Sequence, residues 1–134
     1  MIRYIAAYLA TLAVLLAMDL LWLGVVARPL YRSSVGHLMA ESANLPAALV
    51  FYLLYVLGLM YFGLRPHAAQ PGWHEVAVSA GLAGLFVYAS YDLTNMAVLR
   101  NWPLRLSLVD MAWGAFVSAV STALGKIAFD RVGV

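Results

Sequence analysis

The chain has no cysteine and few charged residues. Without cysteine there is no disulfide, no thiolate metal site and no thiol nucleophile, and thiol usage says nothing about redox compartment. Asp, Glu, Lys and Arg make up 10% of the 134 residues, against about 25% in soluble domains. So few charges cannot cover a water-facing surface, so lipid must be the main solvent. The basic residues are scattered singly and the net charge is only +2, which excludes a nucleic-acid face. No glycine-rich phosphate loop precedes a basic residue, and no serine elbow occurs. His37, His67 and His74 fall between the apolar runs, without metal-ligand spacing on one helix. No metal and no cofactor is implied.

What is present is apolar: 65% of the residues are hydrophobic. About 20 mostly apolar residues span a bilayer as a helix, and four segments qualify, at about 2–27, 45–64, 75–99 and 107–129. Backbone polar groups in lipid must be paired within the segment, so each is a helix. The expected fold is all-α, an integral-membrane four-helix bundle forming one domain over residues 1–134. The first run is too long for a signal-peptide core and carries Asp19 and Trp22, so it reads as a retained helix. Residues 28–44 alternate apolar and polar and suit a short helix in the interface. The tight link at 100–106 makes the third and fourth helices antiparallel neighbours, and Trp73 and Trp102 are placed like interface anchors.

Four spans put both termini on one side. Arg3, Arg65, Lys126 and Arg131 fall on that side, and Arg28, Arg32, Arg100 and Arg105 on the other. Lys and Arg set orientation, and here they tie; the amino terminus tips the expectation to cytoplasmic termini. Basic residues at span ends read as snorkelling anchors.

Three aspartates interrupt the apolar runs. At 1.5 Å per residue, Asp19 lies ~13 Å before Arg28, Asp92 ~12 Å before Arg100 and Asp110 ~8 Å after Arg105. All three arginines belong to the side opposite the termini, so the acids share one layer, with Tyr52 and Tyr55 of the second helix at a similar depth. Each acid also continues a helical stripe of small, polar or aromatic residues: Tyr8, Thr11, Leu15, Asp19 and Trp22; Gly81, Leu85, Tyr88, Asp92 and Asn95; Asp110, Trp113 or Gly114, Val117 and Ser121. Such stripes face a bundle interior. Rows of small residues four apart, including Ala80–Gly84 and Gly114–Ser118–Thr122, allow close helix approach.

The acids differ in context. Asp19 sits mid-helix among apolar neighbours, either locking the bundle by hydrogen bonds or serving as a protonatable, ligand-binding acid. Asp92 accompanies Tyr88, Ser90, Thr94 and Asn95, the densest polar cluster in any span. Ser107-Leu108-Val109-Asp110 fits a capping box, so capping competes with chemistry at Asp110. Met18-Asp19-Leu20 and Tyr91-Asp92-Leu93 are each followed by an arginine and a Pro-Leu pair. This suggests two related helix hairpins with Asp19 and Asp92 in equivalent places.

Asp19-Leu20-Leu21-Trp22, Tyr91-Asp92-Leu93-Thr94-Asn95 and Asp110-Met111-Ala112-Trp113-Gly114 together resemble a family of short bacterial four-span inner-membrane proteins catalogued as a domain of unknown function. The resemblance covers nearly the whole chain. It implies a multi-pass protein of the bacterial inner membrane and supplies no catalytic assignments.

Three functions fit the residues. The first is binding or transport of an amphipathic or cationic small molecule, with Asp19, Asp92, Asn95, Trp22, Tyr88, Tyr52, Tyr55, Asp110 and Trp113 as ligand-binding or proton-coupling residues. The second is an intramembrane enzyme on a lipid or isoprenoid substrate, using an aspartic acid as general acid for isomerisation or cyclisation. The third is a structural or accessory subunit. Membrane lipids are the expected surroundings, and a homodimer is compatible with four short spans.

Overall fold

The computed structural model describes residues 1–133. Four helices are long and apolar enough to cross a membrane. They are α1 (Ile2–Val26), α3 (Leu45–His67), α4 (His74–Val98) and α5 (Leu104–Arg131). A short helix, α2 (Arg28–Val35), follows α1 and leads through a tight turn at Gly36–Leu38. The chain is an all-α membrane bundle.

Two helices change pitch at their ends. α1 becomes a π-helix over Trp22–Val26, and α3 does so over Leu59–Leu64. Both segments run into an Arg-Pro pair, Arg28-Pro29 and Arg65-Pro66. Proline has no N–H, and its ring clashes with the carbonyl four residues back. The approaching turn therefore widens, and the Ala27 N–H bonds the Trp22 carbonyl, five residues back, at 2.7 Å. At the other end of α3, Asn44 caps the helix by accepting the Ala47 N–H at 3.2 Å.

α5 is the central element. It packs along both α4 and α1, and its inward stripe runs from Leu106 and Asp110 through Gly114, Val117, Ser118 and Ser121 to Gly125 and Phe129. Glycine makes this proximity feasible. A Cβ on Gly114 would strike the Tyr88 ring of α4, and one on Gly84 would strike the Gly114 carbonyl and Ser118. A Cβ on Gly125 would meet Thr11 and the Ala7 carbonyl of α1. In lipid there is no hydrophobic drive between helices, so this backbone closeness is what packing rests on.

Two apolar clusters fill the interior. Leu15, Val56, Leu59, Ala80 and Val117, with Tyr55, form one across the middle. Ala7, Met60, Leu64, Val76 and Phe129 form the other near the termini.

Lys126 departs from the snorkelling expectation. Its side chain is fully buried. It donates to the Gln70 carbonyl at 2.9 Å and to Asp130 at 2.5 Å. The ammonium lies inside the protein because the loop after α3 folds back over it and offers a carbonyl. Arg3 is also held, donating to the Phe129 carbonyl at 3.0 Å with its guanidinium 4.1 Å from the Phe129 ring.

The capping box at Ser107 is likewise corrected. α5 begins three residues earlier, at Leu104 after Pro103, and has no side-chain cap. Proline at the boundary supplies the start, since it cannot continue a preceding helix. Ser107 is instead buried, accepting the Trp102 indole N–H at 3.0 Å and reaching the Asp92 carbonyl at 3.4 Å.

Candidate functional site

Asp19 lies in the last regular α-helical turn of α1, which ends at Leu21, and is 5% exposed. Two other helices supply its partners. Tyr52 of α3 donates its hydroxyl to Oδ2 at 2.7 Å, and Trp113 of α5 donates its indole N–H to Oδ1 at 2.9 Å. Both carboxyl oxygens thus accept a donor from a neighbouring helix. One turn on, at the start of the widened segment, Trp22 lies flat on Trp113, with centroids 4.3 Å apart and planes 5° apart.

Asp110 follows one turn before Trp113 on α5 and is also buried. Its carboxylate accepts the hydroxyl of Tyr31 from α2. Burial, followed by the bond to Asp110, pushes the Tyr31 phenol well above the usual tyrosine range. Tyr31 therefore remains a donor at any physiological pH.

These groups surround a cavity of about 370 Å³. Asp19, Trp22 and Leu23 line it from α1, Tyr31 from α2, Phe51 and Tyr52 from α3, Val87, Tyr88 and Tyr91 from α4, and Asp110 and Trp113 from α5. Two carboxyl groups and seven aromatic rings face the space, with no basic side chain among the lining. The cavity lies in the half of the bundle toward α2, and the Leu15–Val56–Leu59–Val117 cluster packs under its tyrosine and tryptophan rings.

Six of the residues marked from the sequence thus meet at one cavity: Asp19, Trp22, Tyr52, Tyr88, Asp110 and Trp113. Three do not line it. Tyr55 sits beneath, its hydroxyl 2.5 Å from Ser118 Oγ. Asn95 is half-buried further along α4. Asp92 is fully buried behind the lining, with neither carboxylate oxygen hydrogen-bonded and the Asp110 carboxyl beside it. Two carboxyls at close quarters repel unless a proton or a cation sits between them. Thr94, the other polar member of that cluster, turns back to the Ser90 and Tyr91 carbonyls of its own helix. Asp19 and Asp92 therefore have different surroundings, one facing the cavity and one behind it.

Tyr31, Phe51 and Tyr91 were missed. Tyr31 had a signal, as an aromatic residue on a short amphipathic segment next to the acid layer. Phe51 and Tyr91 adjoin Tyr52 and Asp92 in sequence but lie on largely exposed helix faces. Among the described residues, no three His, Asp or Glu side chains come together as a metal-binding set.

The family model described as "Predicted membrane protein (DUF2177)" matches residues 4–127. The chain belongs to this membrane-protein family, whose function is unknown. No curated protein and no solved structure matches it. All nine aspartate and aromatic positions that meet at the cavity fall within the matched residues.

Proposed function

We propose that this DUF2177 protein binds an amphipathic organic cation in the Asp19–Asp110 cavity, and moves it in exchange for protons across a bacterial inner membrane with the termini cytoplasmic. The supporting observation is the lining itself: two carboxyls and seven aromatic rings without a basic side chain. Aromatic faces attract cations, by about 2 kcal/mol or more when both are desolvated. A carboxylate at this depth favours a cationic guest over water. A volume of about 370 Å³ falls in the range of small-molecule pockets, roughly 300–1,000 Å³.

The residues divide the task. Asp19 and Asp110 supply charge. The stacked Trp22–Trp113 pair supplies a flat apolar wall, and Tyr31 covers the mouth from α2. Asp92, next to Asp110, is placed to take or give the proton as the cation arrives or leaves.

The test is titration of the purified protein with tetraphenylphosphonium, read by quenching of tryptophan fluorescence, to which Trp22 and Trp113 contribute, and by protons released into weak buffer. Saturable quenching with proton release, lost in Asp19→Asn, supports the reading. Unsaturable quenching that is equal in Asp19→Asn and wild type overturns it, and leaves the intramembrane-enzyme and accessory-subunit functions.

A further inference from the structure

A second hollow, of about 400 Å³, lies between α1 and α3 in the half of the bundle toward the termini. Its walls are apolar: Ile5 and Leu9 from α1, Leu57 and Met60 from α3. Tyr61 and Arg65 stand at one end. Leu57 lies eight residues before Arg65, so the groove runs roughly 12 Å inward from the arginine. Its floor is fixed by the Tyr8 hydroxyl, which donates across to the Leu53 carbonyl at 3.0 Å.

Arg65 is exposed. Its guanidinium lies over the Tyr61 ring, 4.9 Å from the centroid. Among the described residues the salt bridges are Arg3–Asp130 and Lys126–Asp130, and none of these residues gives Arg65 a carboxylate partner. An exposed cation without an acid among the described residues therefore stands at the head of an apolar slot that runs along the membrane normal. This matches a molecule with an anionic head at the interface and a hydrocarbon chain below it.

We infer that the groove seats one acyl chain of an anionic phospholipid, with its phosphate held by Arg65. Charge complementarity selects this occupant. A second copy of the chain docked on the same face by a two-fold axis would bring two unpaired Arg65 cations into one interface. The site is separate from the Asp19 cavity, faces the other half of the membrane, and does not depend on what that cavity binds.

The experiment is native mass spectrometry of the full chain in detergent. Phosphatidylglycerol and phosphatidylcholine with identical acyl chains are offered in equal amounts. Phosphatidylglycerol should be retained about fivefold more, the effect of one basic residue near an anionic lipid. Arg65→Gln should remove that preference, and Arg65→Lys should keep it. Leu57→Trp fills the slot and should lower retention of both lipids; Leu9→Phe does so from the opposite wall if the first variant folds poorly. Equal retention by the wild type overturns the inference, as does an unchanged preference in Arg65→Gln. Cross-linking that finds a second chain at Leu57 also overturns it.

Discussion

Trp113 donates its indole N–H to Asp19 at 2.9 Å, joining α5 to α1 at the depth where lipid would otherwise be. The same carboxylate accepts Tyr52 from α3. One acid thus ties three helices together, and the variants at this position separate its structural role from its chemical one.

Asp19→Asn keeps an acceptor for Trp113, and its amide can donate to the Tyr52 oxygen. It should fold with a loss of about 1 kcal/mol or less. Asp19→Ala leaves two half-buried donors without their partner, at up to about 1–3 kcal/mol each. Thermal unfolding in detergent should therefore rank wild type, Asn and Ala in that order, with the larger gap at Ala. Equal melting of the Ala variant and wild type would contradict the hydrogen bonds described.

Gly114→Ala should be among the most damaging small changes in the protein. The new methyl group meets the Tyr88 ring, and overpacking costs about 1–3 kcal/mol. Trimming the ring in Tyr88→Leu should relieve it. A double-mutant cycle should give a favourable coupling between the two changes, of about 1 kcal/mol or more. Strict additivity would place the helices further apart than described.

Tyr31→Phe removes only the hydroxyl that reaches Asp110. Fold and yield should persist, since α2 lies outside the membrane-spanning helices. The bond is made in the empty cavity and ties α2 over it, so losing it should loosen that cover and speed the release of a bound cation severalfold. Stopped-flow fluorescence with the same phosphonium probe measures this.

Lys126→Met replaces the buried ammonium with an isosteric apolar chain. It frees the Gln70 carbonyl and leaves Asp130 with Arg3 at 3.7 Å. Limited proteolysis should then cut the loop between α3 and α4 faster than in wild type, while the cavity on the opposite side keeps its affinity. Unchanged cleavage would mean that the loop is held by other contacts.

The four spans were legible because hydropathy over 20 residues leaves no other solution in lipid. The cavity face was legible too, because helical periodicity and a common depth bring Asp19, Asp110, Tyr52, Tyr88, Trp22 and Trp113 together. The surroundings of each acid were not. Asp110 looked like a capping residue only because Ser107 precedes it by three. The actual start at Leu104 moves Asp110 into the second turn, onto the inward stripe. Asp92 drew attention through polar neighbours that turn out to satisfy their own helix or point elsewhere. Tyr31 and Lys126 depend on where a short helix and a loop return to the bundle, and local periodicity carries no information about either return.

The apolar layer of Leu15, Val56, Leu59 and Val117 has an electrical consequence. A transmembrane voltage falls mostly across the least polarisable part of its path. On the proposed reading, the carboxyls and hydroxyls above this layer would keep the cavity floor near the potential of the solution on the α2 side. A cation reaching Asp19 from that side would then cross little of the field. The full ~2.3 kcal/mol per charge at 100 mV is felt only in passing Leu15.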